Sequence, residues 1–331
     1  MKKYFSLRII SLSVVMLIIG AGIAWSALNT REFTNVNIGS ESRMGQQGFT
    51  NPLLDCDMAS DAISASKVDF SNDLSTFVNI LKQKPNISEV AVYYRDLNNG
   101  PVTGVNSAIP FAPASLLKVP IMMAYYNRAE DDPKLLDKKI EFKKVSSLLP
   151  DIQDFTPQQQ IQLGHTYTVG ELVEYMIKYS DNNAMALLYD QLPVADQTNL
   201  YMRIGVDPSV ISDSTATLSV KQYSTFFRIL FNASYLSRKD SEKALALLSE
   251  STFDDGLRAG VPISIPIAHK FGERHFSSQL QQLHDCGIVY YPSHPYLLCV
   301  MTRGNTIQDL TQAIADTSRF VYEKIDAQYG K

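Results

Sequence analysis

A serine and a lysine three positions apart are the residues of this chain best suited to nucleophilic chemistry. They are Ser115 and Lys118, in the run Pro113-Ala-Ser-Leu-Leu-Lys-Val-Pro120. On a helix, residues i and i+3 share a face with Cβ atoms about 5 to 6 Å apart, so the amine can reach the hydroxyl. The hydroxyl is a weak nucleophile until a base accepts its proton, and a lysine with a lowered pKa can be that base. The same spacing also occurs in amphipathic helices with one solvated lysine, so this motif alone leaves both interpretations open.

Two further motifs follow along the chain. Tyr179-Ser-Asp-Asn-Asn-Ala184 supplies Ser-Asp-Asn, and His269-Lys-Phe-Gly-Glu273 supplies Lys-x-Gly after an apolar run. Ser-x-x-Lys together with Ser-Asp-Asn and Lys-Thr-Gly is the signature of class A β-lactamases and penicillin-binding proteins. The chain therefore resembles the serine β-lactamase and penicillin-recognising superfamily, and is most similar to class A, over residues from about 66 to 329.

The resemblance implies a role for the polar groups of the three motifs. Ser115 is expected to attack the carbonyl of a β-lactam or of a D-alanyl amide, and Lys118 to accept its proton. Ser180 is expected to relay that proton to the departing nitrogen. Lys270 is expected to lower the pKa of Ser180 and to attract a substrate carboxylate. These four residues form the predicted catalytic set.

The same resemblance assigns substrate binding to four residues: Asn182, Gly272, Glu273 and Arg274. Asn182 is expected to hold a side-chain amide of the substrate and to orient Lys118. The backbone N–H groups of Ser115 and Glu273 are expected to form an oxyanion hole, in which a donor typically lowers the barrier by about 3 to 4 kcal/mol. Asp181 is expected to be structural, because acidic side chains in tight loops commonly accept hydrogen bonds from backbone N–H groups.

One departure from class A concerns the hydrolysis of the acyl-enzyme. Class A enzymes carry a glutamate after Ser-Asp-Asn that activates the hydrolytic water, but no glutamate occurs between Glu174 and Glu242. The segment 205–217 is also shorter than the corresponding loop of the family, and its carboxylates are Asp207 and Asp213. Asp213 aligns better with a structural aspartate than with the missing base, so slow deacylation is expected.

A second departure is Phe271, which stands where the family usually has a threonine or serine whose hydroxyl binds the substrate carboxylate. A phenyl ring cannot donate that hydrogen bond. Arg274 or His275, just beyond it, is a candidate to compensate.

Three functions are consistent with these residues. The first is a class A-like hydrolase that forms an acyl-enzyme on Ser115 and hydrolyses the β-lactam amide with slow deacylation. The second is a penicillin-binding D,D-peptidase acting on peptidoglycan stem peptides, which the missing glutamate favours. The third is a non-catalytic, membrane-tethered protein that binds peptidoglycan or a partner, for which Phe271 is the only indication.

The N-terminus has the pattern of a membrane signal. Lys2, Lys3 and Arg8 precede residues 9–28, which are uncharged and mostly apolar and as a helix would span about 30 Å, the thickness of the hydrocarbon core. An anchor of this polarity places the domain on the extracytoplasmic face of a bacterial cytoplasmic membrane. Cleavage at the small-x-small site Ala24-Trp-Ser26 is the alternative, and would give a secreted or periplasmic protein.

The rest of the chain divides into a tether and one domain. Residues 29–65 are rich in Asn, Ser, Gly and Gln, which predicts a flexible, solvated segment. Residues 66–331 are enough for a single well-buried domain. We expect it to be a monomer.

The charge and the residue composition argue against several other functions. The net charge of −4 and the pI near 5.8 disfavour nucleic-acid binding. The five histidines are scattered and no Cys-x-x-Cys occurs, so neither a metal nor another cofactor is expected. Cys286 and Cys299 are expected to be buried thiols, because a hairpin turning at Ser293-His294 would place them diagonally, which is long for a disulfide.

Periodicity and capping signals predict an α+β fold. Apolar residues at helical spacing indicate a helix over about 68–83, and a strand follows at 90–94. Capping boxes at Thr168–Glu171 and Ser219–Gln222 open two helices in the middle of the chain. The C-terminal part is predicted to contain strands at 265–271, 287–291 and 296–302 and a last helix at 307–325. By resemblance this is a β-lactamase/D,D-peptidase-like fold, with an antiparallel sheet flanked by the terminal helices and a separate all-helical lobe.

Overall fold

The computed structural model describes residues 40–46, 48–57, 70–98, 102–146, 153–203, 205–208 and 216–330. Strands and α-helices alternate irregularly along these residues. In chain order they are β1 Ser40–Arg43, β2 Leu53–Asp57, α1 Ser71–Lys82, β3 Ile87–Asp96, β4 Val102–Val105, β5 Pro110–Phe111, α2 Lys118–Asp131, β6 Lys139–Glu141, β7 Thr166–Thr168, α3 Val169–Lys178, α4 Asn182–Gln191, α5 Val194–Arg203, β8 Leu218–Ser219, α6 Val220–Phe231, α7 Arg238–Ser249, β9 Ile267–Ser277, β10 Leu280–Val289, β11 Tyr296–Gly304 and α8 Ile307–Tyr329.

A five-stranded antiparallel sheet in the order β4-β3-β11-β10-β9 forms the centre of the domain. Successive side chains of a strand point to opposite faces of a sheet, and here both faces are buried. On β11, Leu298 and Val300 pack with α1 and α8, whereas Leu297 and Met301 pack with the apolar faces of α2 to α7. This confirms the predicted α+β architecture, in which terminal helices cover one face of the sheet and a helical lobe lies on the other.

The local start signals of two helices are confirmed. Thr168 Oγ1 accepts a hydrogen bond from the backbone N–H of Glu171 at 3.1 Å, before α3. Ser219 Oγ accepts one from Gln222 at 3.2 Å, before α6. In each case the side chain at the third helical position accepts a hydrogen bond from the backbone N–H of the capping residue. The pair of bonds satisfies two N–H groups that have no partner within the helix.

The strand β10 begins seven residues earlier than predicted, at Leu280 instead of Gly287. Its first half carries Gln282, His284 and Asp285, which are polar and yet at most 4% exposed. A run of polar residues does not have the alternation of a half-buried strand. These side chains are buried because distant parts of the chain supply their hydrogen-bond partners.

The expectation that Cys286 and Cys299 are free thiols is wrong. The register of β10 and β11 places them directly opposite each other, and they form a disulfide. A two-residue turn at Ser293-His294 would have shifted the register by two residues. The connection is longer, because Val289 and Tyr296 form the last pair of the ladder, and connection length sets the register of a hairpin.

Part of the segment predicted to be a solvated tether is packed on the domain. The backbone N–H groups of Phe49 and Thr50 donate to the two carboxylate oxygens of Glu242, at 2.6 and 3.0 Å, and Thr50 is fully buried. Gly48 has φ +65°, a conformation that favours glycine, and a Cβ there would lie 2.0 Å from Glu242 Oε1, so a side chain would displace this carboxylate. The turn between β1 and β2 therefore contacts the domain, within the stretch that the sequence assigned to a flexible tether.

The predicted membrane segment at 9–28 lies outside the described residues. Within the part of the chain that is described, no helix has both the length and the apolar character that a bilayer-crossing helix needs.

Candidate active site

Ser115 lies on a 3₁₀ turn, Ala114–Leu117, directly before α2. The α-helix therefore begins at Lys118 and not at Ser115, as the spacing had suggested. Because a 3₁₀ helix has three residues per turn, positions i and i+3 align along one face, so the expected relation of serine and lysine does not depend on an α-helix. Ala114 has φ +50°, an unusual conformation for a residue with a Cβ, and such conformations cluster at functional sites.

Side chains from distant elements hold this turn. The hydroxyl of Tyr223, in α6, donates to the carbonyl of Leu116 at 2.9 Å. On β10, Gln282 Oε1 accepts from the N–H of Ala112 at 2.9 Å, and His284 Nε2 lies 3.0 Å from the carbonyl of the same residue. Burial lowers the pKa of His284 to about 3, so the imidazole is neutral and donates this bond. Sequence reasoning missed these three residues, because nothing local distinguishes them.

Lys118 is fully buried at the centre of the site. Its Nζ lies 2.5 Å from the carbonyl oxygen of Ser180, 3.0 Å from Ser180 Oγ and 2.6 Å from Asn182 Oδ1. Burial, and then the positive charge of Lys270, hold the pKa of Lys118 well below its ordinary value. The structure thus supplies the condition that a lysine base requires, an amine that loses its proton readily.

The conformation of Ser180 explains how one residue offers two oxygens to Lys118. It connects α3 to α4 with φ +58°. The next residue, Asp181, caps α4 by accepting from the N–H groups of Asn183 and Ala184 at 2.8 and 3.3 Å. It also accepts from the N–H of Ile161 at 2.7 Å. These bonds confirm the structural role expected of Asp181 and fix the loop that carries Ser180.

Lys270 reaches the same hydroxyl from β9. Its Nζ lies 2.8 Å from Ser180 Oγ and 3.0 Å from the carbonyl oxygen of Phe271. Burial lowers the pKa of Lys270 to about 7, against the opposing effect of Asp285 and Glu273. Ser180 Oγ can accept from both lysines, which leaves its own proton free to be donated elsewhere.

The strand β9 passes the 3₁₀ turn at Gly272. A Cβ at this position would lie 2.9 Å from the backbone nitrogen of Leu116 and 3.0 Å from that of Ser115. A side chain would therefore force the strand and the turn apart. This close approach brings the backbone of β9 beside the N–H of Ser115, where the resemblance places an oxyanion hole.

Phe271, Arg274 and His275 also lie on β9, and their side chains make other contacts. The ring of Phe271 is 7% exposed and stacks on Phe253, with centroids 4.1 Å apart. Arg274 is exposed, and its guanidinium lies 5.4 Å from the ring centroid of Phe276. The imidazole of His275 hydrogen-bonds to the carboxylate of Asp154. The described contacts of the two residues considered as replacements for the missing hydroxyl are therefore with Phe276 and Asp154.

The side chain of Glu273 accepts hydrogen bonds from a neighbouring loop, which the sequence did not indicate. Its carboxylate accepts from the N–H groups of Asp154 and Phe155 at 3.0 and 3.2 Å, which attaches the segment 153–155 to the edge of the sheet. Burial raises the pKa of Glu273. Possible metal-ligand atoms of Asp154, Glu273 and His275 lie within 4.8 Å of one another, but these groups already bond to each other or to backbone N–H groups.

The loop considered for a hydrolytic base is described only at its ends. Asp207 is exposed, and Asp213 lies outside the described residues.

Comparisons with known proteins agree with this fold. A family model for the "Beta-lactamase enzyme family" matches residues 72–325. The β-lactamase CTX-M-97 of Escherichia coli is 24% identical over 206 residues, which cover 57% of this chain and 67% of that protein. A class A β-lactamase from Mycobacterium abscessus has a similar structure, with a TM-score of 0.64 at 22% identity over 76% of this chain and 99% of that one. The structure of PBP-A also gives a TM-score of 0.64, at 21% identity over 78% of this chain and 97% of that one.

The domain has the fold of class A β-lactamases, and two buried lysines in it bond to the hydroxyl of Ser180. The family match extends over most of the chain, and the chain belongs to the beta-lactamase enzyme family.

Proposed function

We propose that this protein is a hydrolase that opens β-lactam amides through an acyl-enzyme on Ser115. The observation that carries the proposal is the position of the Ser180 hydroxyl, 3.0 Å from the amine of Lys118 and 2.8 Å from that of Lys270. One hydroxyl between two buried amines is a short path for a proton. Acyl transfer to a serine needs such a path, from the attacking oxygen to the departing nitrogen.

The proposed acylation proceeds by transfers between these groups. The neutral amine of Lys118 accepts the proton of Ser115 as the serine oxygen forms a bond to the carbonyl carbon. The bond from that carbon to the amide nitrogen then breaks. Lys118 returns its proton through Ser180, whose hydroxyl protonates the leaving nitrogen. A charged Lys270 favours this last step, because it lowers the pKa of the hydroxyl that donates.

Two further groups are assigned to stabilise the charge that develops on the carbonyl oxygen. These are the backbone N–H groups of Ser115 and Glu273, on the two sides of the close approach at Gly272. Asn182, which accepts from Lys118 at 2.6 Å, has its amide nitrogen left to bind substrate.

Slow deacylation is part of the proposal. Hydrolysis of the ester needs a base that activates water, and the glutamate that serves class A enzymes is absent from the segment between Glu174 and Glu242. Loss of a general base typically costs about 10² to 10⁴ in rate. The same absence supports the second candidate, a penicillin-binding D,D-peptidase that retains the drug. PBP-A, one of the similar structures, has a variant described as an acyl-enzyme complex with penicillin G.

We also propose that the domain works at the outer face of a bacterial cytoplasmic membrane, held there by the N-terminal segment. Support comes from the positive flank and apolar run at 9–28. In this location its partners would be β-lactams or peptidoglycan peptides.

Mass spectrometry of the full-length protein in detergent, followed over time after mixing with penicillin, tests these functions. We expect an adduct on Ser115 that forms within the first time points and decays slowly. Rapid return of unmodified protein with consumption of penicillin would indicate a fast β-lactamase. An adduct that persists without turnover would favour the peptidase, and no adduct at any time would contradict serine acylation.

A further inference from the structure

The side of the site beyond Lys270 is lined by three aromatic rings. Phe271 and Phe253 are stacked with centroids 4.1 Å apart, and Phe155 packs edge-on against them at 4.8 and 5.7 Å. We call Phe155, Phe253 and Phe271 the aromatic wall. Phe253 and Phe271 are 4% and 7% exposed, and Phe155 is half-buried. The wall is therefore packed on the domain and leaves an apolar surface at Phe155.

The aromatic wall lies next to the groups proposed to transfer protons. Lys270 Nζ is 4.1 Å from the ring centroid of Phe271 and 2.8 Å from Ser180 Oγ. A substrate whose leaving nitrogen reaches Ser180 must therefore place the atoms attached to that nitrogen near this ring. The ring of Phe271 is therefore close to the atoms that a substrate would carry on its leaving-group side.

Lys270 has no donor left for a substrate anion. An ammonium group has three N–H bonds. One is directed to Ser180 Oγ at 2.8 Å, one to the carbonyl of Phe271 at 3.0 Å, and the face of the Phe271 ring occupies the remaining side. Burial also lowers the pKa of Lys270 to about 7, so the positive charge is incomplete at neutral pH.

Three cationic side chains of neighbouring segments make contacts with other groups. Arg258, which follows Phe253 on the same segment, donates to the carbonyls of Ile265 and Val261 at 2.6 and 2.8 Å. Lys178 pairs with Glu250 at 2.7 Å. Arg274 is four residues beyond Lys270 on β9, and its guanidinium lies over Phe276, further along the strand.

Carboxylates, in contrast, surround the wall. Asp285 is the partner of Phe271 in the register of β9 and β10, and it is fully buried. Glu273 follows two residues after Phe271, and Asp154 directly precedes Phe155. These carboxylates are acceptors for His269, His275 and backbone N–H groups. Among the described residues, a substrate anion beside the ring of Phe271 would therefore lose hydration with acceptors, not donors, as its polar neighbours, which weakens binding.

We propose that the leaving-group side of this site accepts an uncharged, apolar group instead of a carboxylate. This inference rests on the proposed function, because it describes the substrate class of the same acyl-transfer reaction. The preferred acyl donors are neutral amides or β-lactams whose acid is masked as an ester, and peptides with a free C-terminal carboxylate are poor substrates.

A pair of chromogenic cephalosporins tests the proposal, one with its free carboxylate and the other with the same group as a methyl ester. The quantity measured is the second-order rate constant for acylation of the full-length protein. We expect the ester to react at least as fast as the acid. A faster reaction of the acid would overturn the proposal.

Variants of the wall sharpen this test. Phe271→Thr removes the ring and adds a donor, so the ratio of the acid rate to the ester rate should rise tenfold or more. Phe271→Leu keeps the position apolar and should leave the ratio within twofold. Phe276→Thr, on the same strand but 49% exposed, is the matched control and should also leave it within twofold. An unchanged ratio in folded Phe271→Thr would contradict the assignment of specificity to the wall.

A binding measurement separates this proposal from the proposed function. In Ser115→Ala, which cannot be acylated, titration calorimetry gives the Kd of each compound. If neither compound acylates the wild-type protein but Ser115→Ala binds the ester more tightly, the hydrolase proposal fails and the apolar subsite stands. Acylation with tighter binding of the acid leaves the hydrolase and overturns the subsite, and absence of binding by both overturns both.

Discussion

The two sides of Ser115 differ in composition, since one consists of hydrogen-bonded polar groups and the other of aromatic rings. On the side of α2 and the Ser180 loop, Lys118, Ser180 and Asn182 form a closed set of short hydrogen bonds. On the side of β9, aromatic rings occupy the space beyond Lys270. The first side contains groups that can transfer a proton, while on the second the described contacts of Lys270 are with Ser180, the carbonyl of Phe271 and its ring. In our proposal, chemistry and recognition are therefore built by separate parts of the fold.

The two buried lysines show the same contrast. For Lys118, the charge of Lys270 adds to burial, and both lower the pKa. For Lys270, the nearby carboxylates of Asp285 and Glu273 raise the pKa and so oppose the effect of burial. The surroundings of Lys118 thus favour its neutral form, while the carboxylates near Lys270 favour its charged form.

The largest effect is expected from removal of the nucleophile. Ser115→Ala should abolish covalent labelling by a fluorescent penicillin, measured on a denaturing gel, because no other hydroxyl lies on the 3₁₀ turn Ala114–Leu117. The matched control is Ser277→Ala, at the exposed end of β9, which should label like the wild type. Undiminished labelling of Ser115→Ala would place the acylation site elsewhere.

A loss of about 10² to 10⁴ in acylation rate is expected for Lys118→Arg, the usual range for a general base. Arginine keeps the charge but does not deprotonate at accessible pH. Stopped-flow measurement with a chromogenic cephalosporin gives the rate, and circular dichroism checks the fold. Lys239→Arg, on the exposed surface of α7, is the control. Near wild-type acylation by Lys118→Arg would mean that another group takes the proton.

Gly272→Ala should reduce acylation by about 10²-fold, the lower part of the range for a lost oxyanion donor. The new methyl group would lie 3.0 Å or less from the backbone nitrogens of Ser115 and Leu116, and would separate the two sides of the site. Gly170→Ala is a control within α3, because a Cβ there meets its nearest atom at an ordinary 3.4 Å. Equal acylation rates in the two variants would argue against the close approach as a catalytic feature.

The smallest effect concerns pH. The acylation rate should fall, by up to about tenfold, as pH rises through about 7, because Lys270 then loses its proton and no longer lowers the pKa of Ser180. In Lys270→Arg the charge persists, and the decline should disappear from the pH profile. A decline that persists in this variant would have to be assigned to another group.

Local signals were sufficient for much of the fold. Capping boxes at Thr168 and Ser219, and the apolar periodicity of the first and last helices, depend on residues within a few positions of one another. The order of the three motifs was likewise enough to predict that Lys118, Ser180 and Lys270 belong to one site. The structure places their side chains together.

Other features of the structure depend on contacts between residues that are distant in sequence, and these could not be predicted from local patterns. The polar start of β10 is a strand because Ala112 and Leu257 supply partners for its buried side chains. The disulfide follows from a register that depends on the conformation of the whole β10–β11 connection. The packed hairpin near Thr50 depends on Glu242, almost two hundred residues away.

Residue types and their order therefore predicted the kind of chemistry, because Ser-x-x-Lys, Ser-Asp-Asn and a Lys-x-Gly motif in this order are typical of one superfamily. The tertiary structure decided the protonation of the lysines, through burial that no short segment can provide. It also turned one unusual residue, Phe271, into a wall by adding Phe155 and Phe253 from distant segments. Burial and contacts between distant segments are properties of the packed chain, which is why these features could not be read from the sequence alone.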